Sequence, residues 1–376
     1  MICSRDFFGT LQSSGIHFYT GVPDSLLKAF CACLSDHAEP ESHIIAANEG
    51  GAVALATGYH LATGRVPLVY MQNSGFGNSI NPLLSLADPE VYSIPMVLLI
   101  GWRGEPGLPD EPQHVKQGKV QEKLLDAIEL PWAVIGPDSA NFKTVTRKMI
   151  TQAESEKRPV ALLVRKGTFE PYDGKHGDQD QPVLTREEAL RLLINSLEER
   201  DIVVSTTGML SREVFEIRAS NDMGHFRDFL TVGSMGHCSQ IALGIAMQKR
   251  SRRVFCLDGD GSLLMHMGSL AITGSRQPGN FRHIIINNGA HDSVGGQPTA
   301  GFFIDIPSIA TACGYRESRC AYDRHTLAES MGWLKESTGP LLLEVRVKKG
   351  ARKNLGRPDR KPVDNKKQFM NYITED

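Results

Sequence analysis

At 376 residues, with 41 basic and 43 acidic side chains interspersed, the chain lacks the charge excess of a nucleic-acid surface or a polybasic membrane anchor, while a small anionic substrate stays open. Its length exceeds the usual single domain and implies two cores. The N-terminus has no long apolar stretch, and no later run approaches the roughly 20 apolar residues of a membrane span, so a cytoplasmic, non-membrane protein is expected.

From the start, apolar strand-like runs alternate with helical patterns, at 17–20, 43–47, 66–72, 96–101, 133–136 and 160–165. That rhythm reads as α/β with a largely parallel sheet. The seven cysteines are odd in number and scattered through hydrophobic stretches, as in a reducing compartment. Cys31-Ala-Cys33 reads as two packing thiols on an amphipathic helix rather than a metal pair. Polar residues 172–182 have no apolar period and read as a linker. Thr185-Arg-Glu-Glu188 then opens a helix with a capping box. Strand-like runs resume at 202–205, 254–257, 283–287 and 341–347. The expected organisation is a first domain at 1–171, a linker at 172–184, a second domain at 185–349 and a tail at 350–376, basic between Lys348 and Arg360.

The sharpest signal is Val254-Phe-Cys-Leu-Asp-Gly259-Asp260-Gly261-Ser262, a buried strand running into small residues and a helix expected from about Leu263. Small residues let a diphosphate approach the backbone, and the N–H groups of a helix start favour its charge. Asp260 would repel that anion unless a hard divalent cation lay between them, held by oxygen ligands. A second ligand set is therefore needed, and the next strand ends on one, Ile284-Ile-Ile-Asn287-Asn288-Gly-Ala290. One helical crossover puts both strand ends at the carboxyl edge of a parallel sheet, where α/β ligands bind. Taken alone, the glycine turn suits an ordinary strand-to-helix connection equally well.

With the Asn-Asn pair in place, the spacing resembles the motif of the thiamine diphosphate enzymes. The resemblance implies two thiamine diphosphate-binding-fold domains, each a mainly parallel sheet flanked by helices. The linker leaves no room for a middle domain. Thiamine diphosphate and Mg2+ are the implied cofactors, with Asp260, Asn288 and the Ala290 carbonyl on the metal and Gly259, Gly261 and Ser262 at the diphosphate. In the first half, Ile44-Ile-Ala-Ala-Asn-Glu49-Gly-Gly-Ala delivers Glu49 to a helix start, where a glutamate ordinarily just favours the macrodipole. The family's activating glutamate lies on such a turn, beside the cofactor's aminopyrimidine, in a dry site that keeps its proton affinity high. Gly233-Ser234-Met235-Gly236 resembles the segment whose bulky side chain bends the cofactor, which makes Met235 that wedge or else a core methionine. Thr207, Gly208 and Met209 are expected at the aminopyrimidine or diphosphate, and Ser74 and Gly75 near the reacting carbon. Because the family binds its cofactor across a subunit boundary, a homodimer or homotetramer with active sites between subunits is implied.

The missing middle domain narrows the resemblance to the phosphonopyruvate and sulfopyruvate decarboxylases. It extends over nearly the whole chain, through Tyr19-Thr-Gly-Val-Pro-Asp24-Ser25-Leu-Leu, Gly101-Trp-Arg103-Gly, Asp110-Glu-Pro-Gln-His114 and Gly289-Ala-His291-Asp-Ser293-Val-Gly-Gly-Gln-Pro-Thr299. It implies a carboxy-lyase of phosphonate biosynthesis that converts 3-phosphonopyruvate to phosphonoacetaldehyde and carbon dioxide. Sulfopyruvate is the alternative, since sulfonate and phosphonate differ mainly in charge. Asp24 and His114 are expected in proton transfer or in orienting the carboxylate, although Pro-Asp-Ser before a helix is also a plain cap. Ser25, Arg103, His291 and Ser293 are expected at the substrate. Of the cations Arg103, Lys116 and Arg357, Arg103 comes first because it follows a buried strand among glycines. The tail departs from the family's pattern around Asp359, so its residues are left without roles. A nucleotide-dependent oxidoreductase is disfavoured because neither half opens on G-x-G-x-x-G, and the presence of Glu49, Asp260 and Asn288 argues against a noncatalytic relative.

Overall fold

The computed structural model describes residues 1–172, 174, 182–352, 354–358 and 360–374. The chain divides into two compact units, Met1–Gly177 and Asp178–Asp376, with no middle domain. Most of the expected linker, at 173 and 175–181, lies outside the described residues.

The first unit is built on strands β1 (Tyr19–Gly21), β2 (His43–Ile45), β3 (Leu68–Gln72), β4 (Met96–Gly101), β5 (Trp132–Ile135) and β6 (Pro159–Val164), in the order β2-β1-β3-β4-β6-β5. The second holds β7 (Ile202–Ser205), β8 (Asp228–Leu230), β9 (Val254–Gly259), β10 (Phe281–Asn287), β11 (Glu317–Ala321) and β12 (Leu341–Arg346), ordered β11-β12-β10-β9-β7-β8. Every pairing between these strands is parallel. The central strands are largely apolar because helices cover both faces, with Arg282 and His283 in β10 and Glu344 in β12 as buried exceptions. Alternate residues serve opposite faces: Leu68, Tyr70, Val97 and Leu99 belong to one core cluster, Val69, Met71, Leu98 and Ile100 to the other. In the second unit Phe255, Leu257, Ile284 and Ile286 face one way, and Val254, Cys256 and Ile285 the other. Each such Leu, Ile or Phe contributes about 1.5–3 kcal/mol on burial.

The sequence runs foreshadow ten of these strands but miss β8 and β11, which are sheet edges. Glu317-Ser-Arg-Cys-Ala321 is half exposed and polar, as an unpaired strand edge requires. Asp228 in β8 is buried, and Arg218, forked onto both its carboxylate oxygens at 3.0 Å, opposes the rise in proton affinity that burial causes. The tail is more than an extension. Its helix Pro362–Thr374 buries Phe369 against Phe229 of β8, and Asn365 Nδ2 donates to the Asp228 carbonyl at 3.1 Å. A second correction concerns the crossover between β9 and β10. It holds two helices, Asp260–Met265 and Ser269–Arg276, and the first begins at Asp260 itself rather than near Leu263. The expected capping box is present, with the Thr185 hydroxyl accepting from the Glu188 N–H and the Glu188 carboxylate from the Thr185 N–H.

The winding of the sheets reverses between β1 and β3 and between β7 and β9, and turns back again at the far edges, where β6 lies inside β5 and β12 inside β11. The carboxyl ends of β1 and β3, and of β7 and β9, open a crevice, a built-in place for a ligand in each unit.

Candidate functional site

In the first unit, β1 leads to Asp24 and Ser25, β2 to Glu49, β3 to Ser74 and Gly75, and β4 to Arg103, all at the same sheet edge. Glu49 starts the helix Glu49–Thr63, which Asn48 caps by accepting the Gly51 N–H at 2.8 Å. Its side chain is only 4% exposed. Burial pushes its carboxyl above the ordinary range, and the Asn78 amide, donating to Oε2 at 2.8 Å, pulls the other way. Gly75 is what lets that carboxyl lie here, since a Cβ on it would stand 1.9 Å from Glu49 Oε1. Ser74 beside it is exposed.

Asp24 is fully buried, with its Oδ2 accepting the Leu26 N–H at 3.0 Å. Gly101 makes room for it, because a Cβ there would come within 1.9 Å of Oδ2. Burial raises Asp24 to about 6, opposed by the Leu26 N–H and the charge of Arg103. Arg103 Nη1 donates to the Ser25 hydroxyl at 2.7 Å. Its Nε and Nη2, however, already fork onto Asp110, so the guanidinium expected for the substrate carries a built-in counter-ion. Asn73 holds the Arg103 backbone through a 2.8 Å and a 3.2 Å bond, which links this group to the Glu49 turn. His114 is buried. Desolvation first and the charge of Arg103 second, opposed by Asp110, lower it to about 4. Its Nδ1 is buried with no partner among the described residues. Lys116 is exposed and outside this cluster of contacts, and Arg357 is exposed on the tail of the second unit.

In the second unit β9 delivers Gly259 and Asp260, and β10 delivers Asn288. Asp260 is 2% exposed, and burial pushes it up to about 6 against the pull of the Thr299 hydroxyl and the backbone N–H groups of Asn288 and Gly261. Among the described residues no cationic side chain pairs with it. Asn288 Nδ2 donates to Asp292 Oδ2 at 2.6 Å and its Oδ1 accepts the Ala290 N–H at 3.1 Å, so one lone pair of that oxygen is left as an acceptor. The bridge between Ala290 and Pro298 uses the carbonyls of Gly289 and Gln297, so the Ala290 carbonyl is outside that bonding. A buried carboxylate with no compensating charge, an amide oxygen and a carbonyl form an all-oxygen donor set that fits a hard divalent cation such as Mg2+.

Around this set, Ser293 packs beside Gly208 and His291 beside Gly261. Burial lowers His291 to about 4, with Asp292 opposing. Thr207, Gly208, Met209 and Met235 are half-buried, and Ser234 is exposed. Ser262 differs from expectation. Its buried hydroxyl accepts from Thr206 Oγ1 and from the Gly236 N–H, each at 3.0 Å, and also bonds Asp258. The hydroxyl knits three loops together, and its hydrogen-bonding capacity is spent before any phosphate arrives.

Several residues in these contacts escaped sequence reasoning: Asn78, Asp110, Thr206, Asp292 and Thr299. Asp292 joins the Asn288 amide to Arg186 at 3.0 Å and to the Gly350 N–H at 2.9 Å, and so ties the start of the tail to the β10 turn. Asp110 and Thr299 lie within stretches already quoted as resembling the family, which was the available signal.

Comparison with known proteins places these two edges in one class. Residues 1–130 match the N-terminal TPP binding domain of thiamine pyrophosphate enzymes, and residues 206–345 match the C-terminal one. The chain belongs to the thiamine pyrophosphate enzymes. It is 33% identical to the phosphonopyruvate decarboxylase of Streptomyces viridochromogenes, over 100% of this chain and 96% of that protein. It is 34% identical to that of Streptomyces hygroscopicus, over 100% and 95%. The sulfopyruvate decarboxylase of Methanosarcina acetivorans is 26% identical over 90% of each chain. Within the family, then, the chain is a thiamine diphosphate-dependent decarboxylase of the phosphonopyruvate and sulfopyruvate type. Among the described residues no helix is long and apolar enough to cross a membrane.

Proposed function

We propose that this chain converts 3-phosphonopyruvate to phosphonoacetaldehyde and carbon dioxide, with Mg2+ holding the diphosphate of its cofactor. The observation that carries this reading is the full-length likeness, at a third identity, to two relatives named for that substrate, against a weaker likeness to the sulfonate relative. When bound, thiamine diphosphate supplies the nucleophilic carbon and the electron sink that loss of carbon dioxide needs.

The chain's own groups have these roles in the proposal. Asp260, Asn288 and the Ala290 carbonyl hold the metal. Gly259, Gly261, Thr207 and Gly208 offer backbone to the cofactor, Met209 and Ser234 flank it, and Met235 is the wedge beneath it. Glu49 shares a proton with a ring nitrogen of the aminopyrimidine, which its raised proton affinity supports. Asp24, held near 6, can pass a proton at neutral pH, and neutral His114 can accept one at its unpartnered Nδ1. Ser25, Arg103, His291 and Ser293 bind the substrate. A homodimer or homotetramer sharing its sites between chains is part of the proposal, supported by relatives named as alpha and beta subunits of sulfopyruvate decarboxylase. The test is turnover of 3-phosphonopyruvate and 3-sulfopyruvate by the purified chain with Mg2+ and thiamine diphosphate, with each aldehyde quantified. The phosphonate is expected to react at least about tenfold faster, a 1.4 kcal/mol preference, and equal or reversed rates would reject the assignment.

Asp24 also yields a stability prediction whose sign is fixed by its proton affinity. Its folded-state value is raised from an ordinary 3.8 to about 6, so the folded chain binds this proton more tightly than the unfolded chain does. The stabilisation is complete below pH 4 and is lost as pH rises through 6. Above that, the buried ionised carboxylate costs about 3 kcal/mol, at 1.36 kcal/mol per pH unit. Asp24→Asn is expected to raise resistance to urea by up to that amount at pH 7.5 and by little at pH 4, while activity falls. Equal stability changes at both pH values would remove the buried charge from the account.

A further inference from the structure

One cluster of buried polar side chains in the second unit has no assigned role in the site above and touches it through the bond between Ser262 and Asp258. Cys256 and Asp258 are two residues apart on β9 and point to one face of the sheet. Cys238 opens the helix Cys238–Gln248, and His283 on β10 is the register partner of Cys256. All four are at most 1% exposed, in a core otherwise made of residues such as Val254, Ile285, Ala242 and Phe281. The two sulfurs lie 3.8 Å apart, and His283 Nε2 lies 3.5 Å from Asp258 Oδ2. Both sulfurs and an Asp258 carboxylate oxygen fall within 4.8 Å of one another.

These spacings have a specific geometric meaning. A tetrahedron with metal–sulfur bonds of about 2.3 Å has a sulfur–sulfur edge of about 3.8 Å, and bonds of about 2.0–2.1 Å to nitrogen and oxygen give an edge of about 3.3 Å. The observed separations, 3.8 and 3.5 Å, match two of the six edges; Cys238, Cys256 and Asp258 lie mutually close, while His283 stands outside that group beside Asp258 and must move inward to close the tetrahedron. The remaining atoms are arranged to suit. His283 Nδ1 is hydrogen-bonded to the Tyr315 hydroxyl at 3.0 Å, the outer-shell contact that fixes a ligating ring and points Nε2 inward. Asp258 Oδ1 accepts the Gly259 N–H at 2.9 Å and the carboxylate also takes the Ser262 hydroxyl, while Oδ2 faces His283. Two thiols and an imidazole select a borderline-soft ion and disfavour Mg2+, so this set and the all-oxygen set at Asp260 are chemically distinct.

We propose that Cys238, Cys256, Asp258 and His283 form a closed structural zinc site. With four protein ligands and no solvent access it has no open position for catalysis. Its effect is to clamp the start of the Cys238 helix and β10 to the end of β9, the strand that delivers Gly259 and Asp260.

The proposal is tested on the full chain, without reference to activity and so independently of the thiamine reading. Protein produced with zinc in the medium is treated with a chelator that strips loosely held Mg2+, and its metal content is measured. About one zinc per chain is expected to remain, falling below about a tenth in Cys256→Ser. Because that variant can fail to fold, the unaltered chain is also refolded with Co2+, where intense thiolate-to-cobalt charge-transfer absorption is the expected signature of tetrahedral sulfur ligation. A folded, zinc-free chain whose Co2+ form lacks that absorption overturns the site. So does a Cys238–Cys256 disulfide in the purified protein, since sulfurs 3.8 Å apart would then serve redox chemistry instead.

Discussion

Replacing Glu49 with glutamine is expected to leave thiamine diphosphate affinity within a few-fold while turnover falls by roughly 10²–10⁴, the range that a positioned proton-transfer group supplies. Glutamine keeps the side-chain length and an oxygen for the Asn78 amide, which now donates to Oε2 at 2.8 Å. The packing around it is also preserved, because Gly75 accommodates a group of the same size. What glutamine lacks is a proton that can be exchanged. The dry surroundings that raise the carboxyl's proton affinity exist only for an acid, and an amide in the same place turns that environment to no use. The effect should therefore fall on kcat and leave binding nearly intact, the pattern of an interaction made in the reaction rather than in the ground state. Calorimetry for cofactor binding and steady-state aldehyde formation separate the two. Turnover within about threefold of the unaltered chain would take Glu49 out of the proton-transfer role.

What could be read from the sequence follows from which physical constraints are local. The central strands β3, β4, β6, β9, β10 and β12 are buried on both faces, so a largely apolar run is forced on each and is visible without a structure, although Arg282 and His283 interrupt β10 and Glu344 interrupts β12. Edge strands β8 and β11 carry charge and polarity instead, and their pairing is settled by neighbours far along the chain. The site divides in the same way. Glu49, Asp260 and Asn288 stand at strand ends, in glycine-rich or amide turns whose spacing is a local property. Asn78 acts on Glu49 across 29 residues and Thr299 on Asp260 across 39, and no periodicity encodes those partnerships. Arg103 was legible as a cation after a buried strand, but its fork onto Asp110 depends on the path of the intervening loop. The four residues of the proposed zinc site show the limit most plainly. Cys256 and Asp258 alternate on one strand, whereas Cys238 and His283 join them only once the sheet has formed and the helix has packed on it.

Asp260→Ala should produce the opposite kinetic pattern to Glu49→Gln, with loss of cofactor binding itself. The carboxylate is 2% exposed, and among the described residues no cationic side chain pairs with it, so its negative charge is available to a divalent ion. Removing it leaves Asn288 and the Ala290 carbonyl, two neutral oxygens, to attract Mg2+ beside a diphosphate. Changes to residues that merely orient metal ligands cost 10–100-fold in affinity, so loss of the one anionic ligand should cost at least about 100-fold. The consequence can be read without any turnover. At a cofactor concentration 100 times the unaltered chain's Kd, binding stabilises the fold by about 2.7 kcal/mol, while a variant 100-fold weaker gains only about 0.4 kcal/mol. Thermal melts with and without Mg2+ and thiamine diphosphate should thus show a clear upward shift for the unaltered chain and for Glu49→Gln, and almost none for Asp260→Ala. Asp260→Asn keeps the volume and an oxygen that can accept from Thr299, so its shift should fall between the two. An undiminished shift in Asp260→Ala would mean that the cofactor's diphosphate is held without this carboxylate, and the metal would have to be assigned elsewhere.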